Sequence, residues 1–158
     1  MNRGGFTLVE LIAVIAVAAI LLSIAMLQFN RFSLKGAIEN QTKIMFTDLM
    51  TVRSEALFEK RRRAVKLTAT TFAVYSSGLA TGTPVLQKSL RYPLVFNGVP
   101  DPVIFNGRGL IEGVSSGAMC IEPSGNPGVI DSIVLDATRI QMGKRDGTAC
   151  QTSDIDTK

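Results

Sequence analysis

Apolar residues are distributed along this chain in three successive patterns. From Phe6 to Leu27 they are nearly continuous, with Thr7, Glu10 and Ser23 as the polar interruptions. A helix over that run rises roughly 33 Å, enough for one bilayer crossing. Farther on, Ile38, Met45, Leu49, Val52 and Ala56 follow one another at helical steps. They form the stripe of an amphipathic helix, with Gln41, Lys43, Asp48 and Arg53 elsewhere around the wheel. Neither a proline nor a strong stop occurs before Arg63, so the pattern predicts one rod of roughly 87 Å from Phe6 to Arg63. Gly36 is its weak point, because a glycine inside a helix costs about 1 kcal/mol relative to alanine. Glu39 with Lys43 and Glu59 with Arg63 add helix-face ion pairs of a few tenths of a kcal/mol each.

Beyond Arg63 the period falls to two. In the stretch AVKLTAT, Val65, Leu67 and Ala69 alternate with Lys66, Thr68 and Thr70, the signature of a half-buried strand. FAVYSSG continues as a strand into a turn at Ser76-Ser77-Gly78. Further strands are expected near residues 89–96, 103–106, 118–122, 129–136 and 138–142, separated by the turn-rich segments NGVPDP, NGRGLIEG and PSGNPG. The fold class is therefore α+β. A transmembrane half-helix (6–27) continues as an amphipathic half (28–63), which packs on an antiparallel β-sheet domain (64–158).

Composition removes several classes of function. There is no histidine and there are only two cysteines, which excludes a multi-cysteine zinc site and any Ser-His or Cys-His catalytic pair. NGRGLIEG lacks the lysine and hydroxyl residue of a phosphate-binding loop. Asp131, Asp136, Asp146 and Asp154 lack the spacing of a calcium loop. No nucleophile has a base within a recognisable motif, so the expectation is a protein that is not an enzyme and needs neither metal nor cofactor. The formal charge of +4 favours solubility or a weak attraction to polyanions over any one partner. The cluster Lys60-Arg61-Arg62-Arg63 reads as cations stabilising a helix C-terminus, with nucleic-acid contact as the other reading.

Glu10 requires an explanation. A carboxylate near a helix N-terminus is favoured by the free N–H groups, yet in hydrocarbon it costs on the order of 3 kcal/mol. The flanking residues also argue against an ordinary cleaved secretory signal, because the small pair Gly4-Gly5 precedes the apolar run instead of following it. The stretch RGGFTLVELIAVIAV resembles the leader and mature N-terminus of type IV pilins and type II secretion pseudopilins. The resemblance implies that residues 1–5 are a leader, that a prepilin peptidase cuts between Gly5 and Phe6, and that the new amino group of Phe6 is methylated. It further implies that Glu10 pairs with the Phe6 amino group of a neighbouring subunit during filament assembly. DLMTVRSEALFEKRRRAVKLT, VIFNGRG and CIEPSGNPGVIDSIVLDATRIQMGK are similar to the GspH/FimT group of pseudopilins and minor pilins. Thr138-Arg139 departs from the Gly-Arg often found there, which weakens the transfer of ligand binding. The absence of a proline at Leu27 favours a minor component over a major one.

The implied setting is the inner membrane with the C-terminal domain in the periplasm, followed by incorporation into a type IV pilus or a secretion pseudopilus. In that oxidising compartment a Cys120–Cys150 bridge is favoured over two free thiols, and it would stabilise the domain by about 3–4 kcal/mol. The implied partners are the peptidase and other pilins. The alternative function is DNA capture during uptake, with Arg139, Lys144 and Arg145 as contacts. Strand alternation directs Ile140 and Met142 inward and Arg139 outward.

Overall fold

A computed structural model describes residues 7–157. Helix α1 runs without a break over Leu8–Glu59, 52 residues, or about 78 Å. It stops at Glu59, short of the expected Arg63. Lys60 takes the left-handed conformation (φ 52°, ψ 35°), and its N–H donates to the carbonyl of Ala56. Gly107 makes this close turn possible from the other side, since a Cβ there would lie 2.8 Å from the Lys60 carbonyl carbon. The basic cluster consequently does not cap the last helical turn, and Arg63 opens the first strand.

The stripe read from the sequence is the buried face of α1. Ile38, Met45, Leu49, Val52 and Ala56 are each no more than 3% exposed. They pack on ten short strands: β1 (Arg63–Leu67), β2 (Thr71–Tyr75), β3 (Leu86–Ser89), β4 (Leu94–Asn97), β5 (Val103–Phe105), β6 (Ile111–Glu112), β7 (Ser116–Ile121), β8 (Ser132–Asp136), β9 (Ile140–Arg145) and β10 (Ile155–Thr157). A short 3-10 turn, Thr152–Asp154, precedes β10. The strands form two five-stranded sheets, ordered β3-β2-β1-β5-β6 and β10-β9-β8-β7-β4. All pairings are antiparallel. One apolar core, including Phe72, Phe105, Met119 and Leu135, joins both sheets to the helix.

The strand expected over 89–96 is two strands in different sheets. Between them the chain leaves β2 and crosses at Leu90–Pro93, where proline has no N–H to give to a ladder. Gln41 on α1 replaces the missing strand partner. Its side chain donates to the Tyr92 carbonyl (2.8 Å) and accepts from the Tyr92 N–H (3.0 Å). Gln41 is thus buried, although the helical wheel set it among the polar positions. NGRGLIEG, expected as a turn, contains the two-residue strand β6. Its turn is organised by the Asn106 side chain, which accepts from the N–H groups of Arg108 and Leu110. β10 was not expected, because three residues are too few to show a period.

Candidate assembly helix and candidate binding cations

Among the described residues, nothing packs against the N-terminal half of α1. Leu8, Ile12, Leu22, Met26 and Phe29 are 57–76% exposed, and this is one helix long and apolar enough to cross a membrane. Ser23, its polar interruption, donates to the Ala19 carbonyl (2.8 Å), so the hydroxyl is satisfied within the helix. A helix apolar on every side is stable only when lipid or other helices surround it.

Glu10 lies in the first turn. Thr7 is the N-cap, with extended backbone, and its Oγ1 accepts from the Glu10 N–H at 3.3 Å. Thr7 and Glu10 have the spacing of a capping box, a signal present in the sequence but not used there. Among the described residues no cation is within ion-pair distance of the Glu10 carboxylate. No charged residue occurs between it and Arg31. Gly5 and Phe6, the expected cleavage pair, lie outside the described residues.

The three cations suggested for DNA contact do not form one exposed cluster. Arg139 is exposed, as strand alternation indicated. Lys144 donates to the Asp131 carboxylate (2.7 Å) and to the Asn126 carbonyl (3.0 Å). Arg145 is 3% exposed; it bonds Glu122 (3.0 Å) and the carbonyl of Ile121 (3.2 Å). Both side chains are held by internal acceptors that sequence alternation could not reveal. Arg62 and Arg63 of the basic cluster are likewise paired, with Glu112 and with Glu55 and Glu59.

Asp131 is the centre of this internal network. Its side chain is fully buried and accepts from Lys144, from Ser132 (2.7 Å), from Asn126 (2.9 Å) and from the Arg145 N–H (2.8 Å). Burial alone would raise its pKa. The bonds from Lys144, Arg145 and Ser132 outweigh burial and hold the carboxyl below the ordinary aspartate range. Cys120 and Cys150 are disulfide-bonded, tying the chain after β9 back to β7.

A groove of about 460 Å³ lies between α1 and β3, with Ile44, Met45 and Phe72 in its wall. Asp48 and Lys88 face each other across it at 2.7 Å. Nothing in the sequence linked these two, 40 positions apart.

Comparison with known proteins agrees with this geometry. Residues 1–26 match the family model described as the prokaryotic N-terminal methylation motif. The type IV minor pilin FimU of Pseudomonas aeruginosa is similar in structure, with a TM-score of 0.53 and 16% identity over 78% of this chain and 96% of that one. The minor pseudopilin EpsH from the type II secretion system of Vibrio cholerae gives a TM-score of 0.52 and 10% identity over 70% of this chain and 97% of that one. No curated protein sequence matches. The chain therefore combines a type IV prepilin motif with a pilin-like fold: one long helix packed on two antiparallel sheets.

Proposed function

We propose that this chain is a minor pilin or pseudopilin subunit that prepilin peptidase processes between Gly5 and Phe6. The peptidase methylates Phe6, and the subunit joins or primes a type IV pilus or a secretion pseudopilus. The apolar half of α1 anchors it in the inner membrane, with the β-rich domain on the periplasmic side. One observation supports this above all others. The N-terminal methylation motif runs directly into a helix whose apolar half is uncovered and whose Glu10 has no described internal partner. Cleavage would create an amino group on Phe6, and on an adjacent subunit that group can neutralise Glu10 where hydrocarbon makes an isolated charge expensive.

Mass spectrometry of the chain extracted from membranes, with and without an active prepilin peptidase, tests the reading. The expected result is loss of Met1–Gly5 and a methyl group on Phe6 only when the peptidase is present. A chain that keeps its first five residues overturns it. The Glu10→Ala variant should be inserted and cleaved like the wild type but be absent from sheared filaments. Incorporation at the wild-type level would remove Glu10 from the assembly step. DNA capture through Arg139, Lys144 and Arg145 has weaker support, because two of those three cations are engaged internally.

A further inference from the structure

Two open sheet edges on this molecule are complementary, and we propose that β3 of one copy receives β10 of a second copy as an added strand. The contact is an antiparallel, side-by-side junction beside the α1 groove. It depends on the folded domain and its orientation, not on leader processing, and needs only two neighbouring copies.

The hydrogen-bonding directions match. Among the described residues β3 pairs with β2 alone and β10 with β9 alone. Leu90 N–H bonds the Thr70 carbonyl across the β2–β3 ladder, and hydrogen-bonded positions alternate along an antiparallel pair. With the observed register, Lys88 and Leu86 face β2, while the backbone groups of Gln87 and Ser89 point to the open side. In the same way Asp146 N–H bonds the Asp154 carbonyl, so Asp156 faces β9 and the backbone groups of Ile155 and Thr157 point outward. Each edge thus offers two residues at a spacing of two. Placing Gln87 opposite Thr157 and Ser89 opposite Ile155 makes about four backbone hydrogen bonds.

That register sets Lys88 opposite Asp156, and the charges around it agree. Lys43, Lys88 and Arg91 lie beside the groove with Asp48 as the acid among them. The arriving strand carries the exposed Asp156, and Asp154 ends the turn just before it. An opposite-charge cross-strand pair favours this register and disfavours slipping by one residue.

The two edges also have the orientation required of copies anchored in one membrane. β3 runs against α1, because its Leu86 end lies by Val52 and Glu55 and the following Arg91 lies by Ala37. β8 runs with α1. The segment before it touches Ile38 and Glu39, and beyond its end the Ala137 carbonyl accepts from Ile111, next to the loop resting on Arg53 and Leu57. β9 reverses that direction and β10 restores it. Two copies with parallel helices therefore present β3 and β10 to each other antiparallel. Asp48, which holds Lys88, and Glu39, which holds Val129, are nine residues apart, so the two sheets are held on opposite flanks of α1. The junction uses two different surfaces, and such contacts propagate along an assembly instead of closing a dimer.

The test is cysteine cross-linking of the full chain in membranes. One copy carries Gln87→Cys and a co-expressed copy carries Thr157→Cys, positions whose Cα separation in the proposed pair, about 5.5 Å, suits a disulfide. Mild oxidation should give a dimer at about tenfold the yield obtained when Lys66→Cys replaces Gln87→Cys. Peptide mapping should join positions 87 and 157. Ser89→Pro in the first copy removes an outward N–H without touching the β2 ladder, and should reduce the yield to the control. Yield at the control level, a product containing a different protein, an equal yield from either variant alone, or indifference to Ser89→Pro overturns the proposal.

Discussion

Asp131 shows how one buried carboxylate can hold a region together. It accepts hydrogen bonds from β9 and from the loop after β7, and Lys144 adds a second link between it and Asn126, which also bonds it directly. The carboxyl's pKa is lowered in the folded state, so its stabilisation is present above the unfolded aspartate value near pH 4 and is lost as pH falls through the lower, folded value. Asp131→Asn should therefore destabilise the domain at pH 7 by about 3 kcal/mol, the low end for a broken buried pair because Lys144 reaches solvent. It should also flatten the acid limb of the unfolding profile, and urea melts between pH 2 and 7 measure both effects. None of this was legible in the sequence, where Asp131 was one of four scattered acids. Its partners are as far as 14 positions away and converge only after the strands pair. Gln41 was hidden for the same reason, since its ligand is a backbone amide 51 positions away.

At the scale of elements, legibility followed how local the cause was. The buried face of α1 could be read position by position, because every residue of the stripe answers to one helical period. The end of the helix could not. Lys60 adopts a left-handed conformation that its sequence does not favour, imposed by the loop at Gly107 docking against it. A lysine there bears a Cβ strain that glycine avoids. Lys60→Gly should raise the stability of the domain by about 1 kcal/mol, measurable as a higher urea midpoint with unchanged slope. Most strands were found as short apolar or alternating runs bounded by turn-rich segments. They were misread at 89–96, where apolar character continues while the backbone changes sheets.

At the scale of the whole molecule, the class α+β, the uncovered apolar half-helix and the Cys120–Cys150 bridge were all legible. The division into two sheets was not. It depends on β5 returning to β1 while β4 stays with β7, and those long-range choices leave no local period. The candidate site divided along the same line. Glu10 and the run around it can be interpreted from neighbouring residues alone, whereas the groove beside β3 and its Asp48–Lys88 bridge exist only after folding.

The unbroken α1 has a mechanical consequence. A rod with no hinge transmits rotation, so in an assembly whose anchors pack helix on helix, that packing dictates which way each domain faces its neighbours. One alanine inserted between Ser33 and Leu34, ahead of the first buried position, would advance the domain by only about 1.5 Å but turn it by about 100°. Such a chain should fold, insert and be processed as before, yet show its β3 edge to empty space. Within assembled filaments the Gln87–Thr157 cross-link should vanish, and four inserted residues, restoring nearly a full turn, should bring it back.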